Sequence, residues 1–491
     1  MGKRMVATMA ALLVGASPAY AQAGGRAPAA ASDQAHVLAH LSNAEIAKRV
    51  QSVIEQLQSR PEFVGLSVAV ARSDHMIVDR GAGIADVEWN QPADARTAFR
   101  IGSLTKQFTA AAILKLKEQG KVGLDDSISK YLPDFETEGH VVTIRQLLNH
   151  TSGIPNYTAQ PGFMAKQARL ELGEQDVLKA IAHVPFDFDP GTKWAYSNTN
   201  YFLLGMIIEK ISGRSYADYM RDEFFRPLGL SHTRYGFDAP IIPERAQGYA
   251  ISAATGQRSN AAALGMTSPG AAGGLISTAG DLVRWQIALT GGRAVSPAAF
   301  QQMITATAKT GMGDATYGFG LMVDKAGGQR RIWHNGGING FNSVLSWWPD
   351  LGLRIAVISN SEGLPSAAVQ DSIFAALTSA KRLPPLRSKP QPAAETALRG
   401  LISGIAAGKP DYDQLTPMMA DVTRSQLPAL QKVVQQLGSL KSVAFKDVSL
   451  SNADEYVVQF ANGAALFTIS LDPQGKVQGT TFVPIPPANA P

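Results

Sequence analysis

The chain has 491 residues, a length that predicts two or three domains. Hydrophobic residues make up 45% of it and charged residues 17%, which excludes global disorder, and the absence of cysteine excludes disulfides, cysteine nucleophiles, cysteine-ligated metal sites and a lipoprotein anchor. A formal net charge of +5 is too small for a chain of this length to predict a nucleic-acid partner.

The first 21 residues have the pattern of a signal peptide. A basic start precedes an apolar stretch at 5–16 that is too short to span a bilayer, and Ala19-Tyr20-Ala21 fits a cleavage site. Cleavage there would leave Gln22 at the N-terminus, followed by a disordered lead-in over 22–41. We therefore expect a periplasmic or secreted protein whose mature chain carries no stable membrane anchor.

The next elements alternate between helical and strand-like patterns. Residues 43–58 place apolar side chains at helical spacing, with Asn43 as a candidate cap. Two strand-like runs within 64–79 form a plausible hairpin. A strong helix is predicted over 103–118, and residues 120–320 predict mostly short helices and long loops.

Strand patterns return at 330–333, 341–348 and 353–359, and a helix follows them. Pro349-Asp350-Leu351-Gly352 joins the last two runs and is typical of a tight hairpin. Hairpins indicate an antiparallel sheet that helices can cover. We therefore predict an α/β (α+β) fold over 42–382, in which an antiparallel sheet is flanked by helices and carries a large, mostly helical insertion.

The rest of the chain predicts a second, smaller unit. Residues 383–394 are rich in proline and are typical of a linker. Residues 395–491 predict a C-terminal α+β accessory domain, with helical patterns up to Leu437 and four strand-like runs after it. Its role stays open between an interaction module, a lid and a dimerisation element.

The most informative motif is Ser103-Leu104-Thr105-Lys106, at the start of the strong helix. Residues three apart share a helix face, so the Lys106 amine can reach the Ser103 hydroxyl and take its proton, provided that burial lowers the lysine pKa. The helix N-terminus adds a positive field and free N–H groups that favour an oxyanion. A second match at 127–130 has no strand before it and no long helix after it, so we interpret it as a solvated turn.

Two further motifs follow along the chain. In Tyr196-Ser197-Asn198, residues two apart on an extended segment face the same way, so the phenol and the amide project together. His334-Asn335-Gly336-Gly337 ends a strand with glycines that let the backbone approach a ligand. Taken singly, the tyrosine motif is better explained by local packing and the histidine motif by a turn with a surface histidine. The information lies in the order of all three motifs. The scattered histidines predict no metal site, and no cofactor motif is present.

Together, Phe99 to Lys106, Tyr196-Ser197-Asn198 and His334-Asn335-Gly336 resemble the serine β-lactamase-like hydrolases. That superfamily covers class C β-lactamases, D-Ala-D-Ala carboxypeptidases, D-aminopeptidases and carboxylesterases. Residues 147–153 and 273–278 also look like its recurrent segments, and we interpret both as structural turns and caps. The resemblance covers about residues 42 to 380.

The resemblance implies a role for each matching residue. Ser103 would be the acylated nucleophile, Lys106 would help to deprotonate it, and Tyr196 would be the general acid and base. Asn198 would hold the substrate amide or the Lys106 side chain. The substrate-binding and oxyanion groups would come from the backbone N–H groups of Ser103 and Gly337, from the adjacent Gly336, and from His334 on the opposite wall.

Two departures from the family pattern bear on the substrate. The third motif is His-Asn-Gly, where β-lactamases usually carry Lys-Thr-Gly, and a mostly neutral histidine is a weaker anchor for a carboxylate. The middle motif is Tyr-Ser-Asn, and residues 157–197 contain no asparagine, which argues against a class A enzyme. Efficient β-lactam hydrolysis is therefore not expected.

The leading prediction is an exported serine hydrolase that cleaves a small-molecule ester or D-amino-acid-type amide without a cofactor. Two alternatives remain open: a β-lactamase proper, and a protein of the same fold that is acylated and then stalls, like a penicillin sensor. The sequence gives neither the natural substrate nor the oligomeric state.

Overall fold

A computed structural model describes residues 31–252, 257–305, 308–379, 387, 389–449 and 452–485. The predicted signal peptide and part of the predicted linker lie outside these residues. The chain forms two compact units, a larger one of residues 30–251 and 258–380 and a smaller one that contains residues 381–491. The boundaries predicted at 42–382, 383–394 and 395–491 stay predictions.

The larger unit mixes strands and helices, as the sequence predicts. Its strands are β1 (Gly65–Arg72), β2 (His75–Asp86), β3 (Gln91–Pro92), β4 (Phe99–Arg100), β5 (Arg234–Tyr235), β6 (Tyr249–Ile251), β7 (Arg258–Asn260), β8 (Leu275–Ser277), β9 (Ala308–Lys309), β10 (Thr316–Tyr317), β11 (Met322–Ala326), β12 (Gln329–Ile338), β13 (Phe341–Trp348) and β14 (Leu353–Ser359). Its helices are α1 (Ala31–His40), α2 (Asn43–Gln58), α3 (Thr105–Glu118), α4 (Ile144–Leu148), α5 (Glu174–Leu178), α6 (Asn198–Ser212), α7 (Tyr216–Met220), α8 (Arg226–Leu228), α9 (Gly270–Gly273), α10 (Ala279–Thr290), α11 (Pro297–Ile304) and α12 (Ser366–Thr378).

The main sheet of this unit is antiparallel and confirms the predicted fold class. Its strands lie in the order β3-β2-β1-β14-β13-β12-β11-β10-β9, so the first strands of the unit pair with the last. The mostly helical insertion runs from α3 to α11, between the sheet's two halves in sequence. Two strands of the insertion, β8 and β5, form a small separate sheet with β4, which lies just before α3.

Helices cover both faces of the main sheet. All residues of β14 are buried, so neither of its faces meets water. Successive side chains of a strand point to opposite faces, and the end of β13 shows both environments. Trp347 contacts Phe300 of α11 on one face, whereas Trp348 stacks on Phe374 of α12 on the other. Helices therefore cover both faces of the sheet, and β12, which carries the third motif, is one of its interior strands.

The smaller unit is an α+β domain with a core of its own. It contains α13 (Ala394–Ala406), α14 (Pro417–Leu437), β15 (Leu440–Val448), β16 (Asp454–Phe460), β17 (Gly463–Leu471) and β18 (Val477–Ile485). The four strands form an antiparallel sheet in chain order. Leu398 and Ile402 of α13 belong to one apolar cluster with Tyr456 and Phe467 of the sheet. This arrangement confirms the α+β class predicted for the C-terminal part of the chain.

Two details near the start of the larger unit correct the sequence predictions. The lead-in predicted as disordered over 22–41 contains α1, because Leu38 is buried, with 2% of its surface exposed, and α1 packs against α12. Asn43 is inside α2 rather than its cap. Ser42 caps α2, since its hydroxyl accepts the Glu45 N–H while the Glu45 carboxylate accepts the Ser42 N–H. No helix among the described residues is long and apolar enough to cross a bilayer.

Candidate active site

Ser103 lies where the chain turns from the small sheet into the central helix. Residues Gly102–Leu104 form a 3-10 turn that leads directly into α3. Gly102 has a φ of +51°, and a Cβ there would lie 2.9 Å from the carbonyl oxygen of Gly337. Glycine is therefore needed at this position, both for the left-handed backbone and for the close approach of β12.

Lys106 follows one turn later and is fully buried. Its Nζ lies 3.0 Å from Ser103 Oγ, 2.8 Å from Asn198 Oδ1 and 2.7 Å from the carbonyl oxygen of Ala272. Burial lowers the pKa of Lys106 well below its usual range. A neutral amine has two N–H donors and one lone pair. The two carbonyl-type oxygens can take the donors, which leaves the lone pair for the proton of the Ser103 hydroxyl.

Tyr196 and Asn198 reach the same point from the N-terminus of α6. The Tyr196 hydroxyl donates to Ser103 Oγ at 2.8 Å, and burial raises the tyrosine pKa, so the group stays a phenol. The Asn198 side chain donates through Nδ2 to Thr158 Oγ1 at 3.0 Å and accepts from Lys106. The structure thus brings together all four polar side chains that the first two motifs predict, and Asn198 holds Lys106.

The glycines of the third motif bring β12 against the serine turn. A Cβ at Gly336 would lie 2.1 Å from the Ile101 carbonyl oxygen and 3.0 Å from the Ser103 nitrogen, so this position requires glycine. A Cβ at Gly337 would meet nothing within 4 Å, because this residue borders the open pocket. Gly337 thus lies beside Ser103, as an oxyanion-hole partner must.

The structure corrects the predicted role of His334. Its side chain is 2% exposed and does not line the pocket; it lies behind Tyr196, with its Nε2 3.0 Å from the Tyr317 hydroxyl. Burial, aided by the nearby Lys106, lowers the pKa of His334 to about 3. The expectation that His334 lines the opposite wall of the site is wrong, because β12 turns this side chain into the protein. Its expected neutral state agrees with the lowered pKa.

A second histidine, His150, packs against Tyr196. The sequence pattern of residues 147–153 predicts only a structural turn here. Its ring lies 4.5 Å from the ring of Tyr196, centroid to centroid, and its Nδ1 lies 3.3 Å from both the Ser197 N–H and the Asn200 amide. It is buried, and burial lowers its pKa well below the usual range. The sequence signal is the segment Leu147 to Gly153, but nothing in its spacing connects it to Tyr196.

The second Ser-x-x-Lys match lies at the surface, as predicted. Ser127 accepts the Ser129 N–H at 3.3 Å, and Lys130, with 60% of its side chain exposed, pairs with Asp126. Neither contributes to the pocket beside Ser103.

That pocket has a volume of about 400 Å³, within the usual range for small-ligand sites. Apolar side chains form most of its wall, namely Phe163, Met164, Ala168, Leu264, Ile338 and Phe341, while Ser103, Asn198 and Gly337 lie at its reactive end. Among the described lining residues there is no lysine, arginine or histidine. No group of three or more potential metal-ligating side chains occurs in the described part of the chain.

The two buried histidines predict a loss of stability in acid. An unfolded histidine has a pKa of about 6.5. Below that pH, His334 and His150 therefore bind a proton in the unfolded chain but stay neutral in the folded protein. The free energy of unfolding should therefore fall as pH drops below 6.5, by up to about 1.4 kcal/mol per pH unit for each histidine, and for His334 this continues to about pH 3. Urea unfolding at pH 7 and pH 5 measures the fall.

Tryptophan fluorescence makes this measurement specific for the larger unit, because all six tryptophans lie between residues 89 and 348. A His334→Gln variant should lose less stability between the two pH values than the natural protein. Equal losses in both proteins would contradict the inferred neutrality of His334.

A serine held by a buried lysine and a tyrosine, at the N-terminus of a central helix beside an antiparallel sheet, defines a serine hydrolase of the acyl-enzyme type. The comparisons with known proteins agree. The family model described as Beta-lactamase matches residues 50–380, and the chain belongs to this family.

Individual relatives support the same assignment. Penicillin-binding protein 4* of Bacillus subtilis (strain 168) is 30% identical over 333 residues, which cover 64% of this chain and 72% of that protein. Protein flp of Staphylococcus aureus (strain MW2) is 34% identical over 193 residues, only 38% of each chain. The crystal structure of a D-stereospecific amidohydrolase from Streptomyces sp. is similar with a TM-score of 0.57 and 29% identity, covering 68% of this chain and 98% of that one.

Proposed function

We propose that this protein hydrolyses an ester or a D-amino-acid-type amide through an acyl-enzyme on Ser103. The observation that carries the proposal is the convergence of the Lys106 amine and the Tyr196 hydroxyl on one serine oxygen, at 3.0 Å and 2.8 Å. Similarity to a D-stereospecific amidohydrolase supports the amide half of the substrate class.

The proposed reaction begins with the neutral Lys106. As Ser103 Oγ attacks the substrate carbonyl carbon, its proton moves to Lys106 Nζ, while the N–H groups of Ser103 and Gly337 stabilise the oxyanion. The carbonyl then re-forms, and the leaving group departs with a proton delivered through the Tyr196 hydroxyl. Water then attacks the carbonyl carbon of the acyl-enzyme and gives one proton to Tyr196 and Lys106. When this second tetrahedral intermediate collapses, the bond from the carbonyl carbon to Ser103 Oγ breaks, the same proton passes to Ser103 Oγ, and the acid leaves.

The charge of the pocket favours this substrate class over β-lactams. A β-lactam carries a carboxylate close to the bond that breaks, and no cation occurs among the described lining residues to hold it. Among the described lining residues, the one acidic side chain is that of Glu362. Neutral or cationic substrates therefore fit this site better than anionic ones.

Burst kinetics with three chromogenic substrates test the proposal: a p-nitrophenyl ester, a D-aminoacyl p-nitroanilide and a cephalosporin. We expect steady turnover of the ester, the anilide or both, and little turnover of the cephalosporin. Ser103→Ala should abolish the turnover. A stoichiometric burst without turnover on all three would indicate a stalled, sensor-like protein, and fast cephalosporin turnover would indicate a β-lactamase; either result would contradict the proposal.

We also propose that the protein acts after export, on the basis of its first 21 residues. The expected result is a mature chain that starts at Gln22, measured by N-terminal sequencing of protein from the periplasm or the medium. An Ala21→Lys variant should accumulate uncleaved, because cleavage requires a small residue there. Intact Met1 on protein that stays in the cytoplasm would contradict the proposal.

A further inference from the structure

One carboxylate is fixed at the end of the pocket formed by the turn between β12 and β13. Glu362 follows β14 and lines the pocket, and one of its carboxylate oxygens accepts the Gly340 N–H at 2.8 Å. Its backbone is also held, since its N–H donates to the Tyr249 carbonyl at 2.9 Å and its own carbonyl accepts from Asn342 Nδ2 at 3.2 Å. The negative charge is therefore held in place rather than carried on a free side chain.

The groups beside this carboxylate are also acceptors. Asn339 donates its amide nitrogen to the Ala262 carbonyl at 3.0 Å, and Asn342 donates its own to the carbonyls of Ser361 and Glu362. Both asparagines line the pocket. Their Oδ1 atoms and the second Glu362 oxygen accept no hydrogen bond from any residue that the structure describes. This end of the pocket thus presents three acceptor oxygens, against one amide N–H of Asn339 that has no acceptor among the described residues.

Such an end is complementary to an ammonium group, which has several donors and no acceptor. Gly340, which anchors Glu362, follows Gly337 by three residues, so the two are at most roughly 10 Å apart along the chain. An acyl chain of several bonds can span this distance, so it could carry a cation from a substrate carbonyl seated beside Gly337 to Glu362.

We propose that Glu362 determines specificity, and that it selects acyl groups with a cationic group, such as a primary ammonium, several bonds from the carbonyl that is attacked. This inference rests on the proposed function and narrows its substrate class. Glu362 acts on binding and not on the chemistry, because it contacts none of Ser103, Lys106 and Tyr196 in the described structure.

Three matched p-nitrophenyl esters test the inference: hexanoate, 6-aminohexanoate and the adipate half-ester, which differ in the charge at the far end. The natural protein should show a kcat/KM for the aminohexanoate about three- to fivefold above that for the hexanoate, the gain of one partly solvated ion pair, and a lower value for the adipate. Raising the salt concentration should reduce the differences in kcat/KM among the three esters, because salt screens the charge interaction. Glu362→Gln should bring the three values together, and Glu362→Lys should reverse their order.

Asp350→Asn is the matched control, because it also removes one exposed negative charge but lies outside the pocket. It should keep the ranking of the natural protein. Equal kcat/KM values for the three esters in the natural protein, or a ranking that survives Glu362→Gln, would overturn the role of Glu362. Those results leave the proposed function intact if Ser103→Ala abolishes hexanoate turnover, whereas undiminished turnover by Ser103→Ala would overturn the proposed function itself.

Discussion

Replacing Ser103 with alanine is expected to lower kcat by about 10³-fold or more, and replacing Lys106 with alanine should do the same. Lys106 and Tyr196 both contact the Ser103 oxygen, and its loss removes the nucleophile. Without Lys106 the hydroxyl loses the neutral amine that can take its proton. Since the two residues act as one unit, the double variant should be little worse than either single variant. Steady-state kinetics with the best ester of the panel provide the measurement.

The chain supplies its own controls for this experiment. Ser127→Ala and Lys130→Ala change the same residue types in the same spacing, but at a surface turn. Both should keep a kcat within about twofold of the natural protein, because surface substitutions of this kind rarely change much. An inactive Ser127→Ala together with an active Ser103→Ala would show that the nucleophile has been assigned to the wrong motif.

The reactive centre could be predicted from sequence because its contacts are local or follow simple periodicities. Ser103 and Lys106 lie three apart at a helix start, and their 3.0 Å contact follows from helix geometry alone. Tyr196 and Asn198 project together because they are two apart, at the extended entry to α6. These patterns do not show that the two pairs of residues meet in the fold. That expectation came from the resemblance to a family in which the motifs occur in the same order.

The surroundings of the centre could not be predicted, since they depend on long-range packing. Strand alternation puts His334 and Gly336 on one face of β12 but does not show what covers that face. Tyr317, which contacts the His334 ring, comes from β10 across the sheet edge. The pKa of His334 falls to about 3 chiefly because this packing excludes water.

The acidic end of the pocket was missed for the same reason. Glu362 lies in an ordinary loop after a strand, and its position depends on the hydrogen bond to Gly340, 22 residues earlier in the chain.

The segment before α2 shows a different limit of sequence analysis. Its composition predicted disorder over 22–41, although the apolar residues Leu38 and Leu41 were available for burial. A few well-placed apolar residues can order a segment whose average composition is polar and small.

Replacing Tyr196 with phenylalanine should lower kcat by about 10²- to 10³-fold while leaving the fold intact. The change removes the hydroxyl that donates to Ser103 at 2.8 Å but keeps the ring that packs on His150. Tyr216→Phe is a matched control, because that buried hydroxyl contacts Thr109 rather than the serine. The control should retain nearly full activity and similar thermal stability.

The pH profile of Tyr196→Phe decides which residue is the base. Burial lowers the pKa of Lys106 and raises that of Tyr196, so the amine can accept a proton at a lower pH than an ordinary lysine, whereas the phenol keeps its proton. Activity should therefore rise with pH as Lys106 loses its proton, at a lower pH than an ordinary lysine would require. Because the lysine remains in Tyr196→Phe, its kcat/KM should rise over the same pH range, at a lower level throughout. A profile in which this rise has vanished would mean that Tyr196 is the titrating base, and the assignment of the first proton transfer to Lys106 would be wrong.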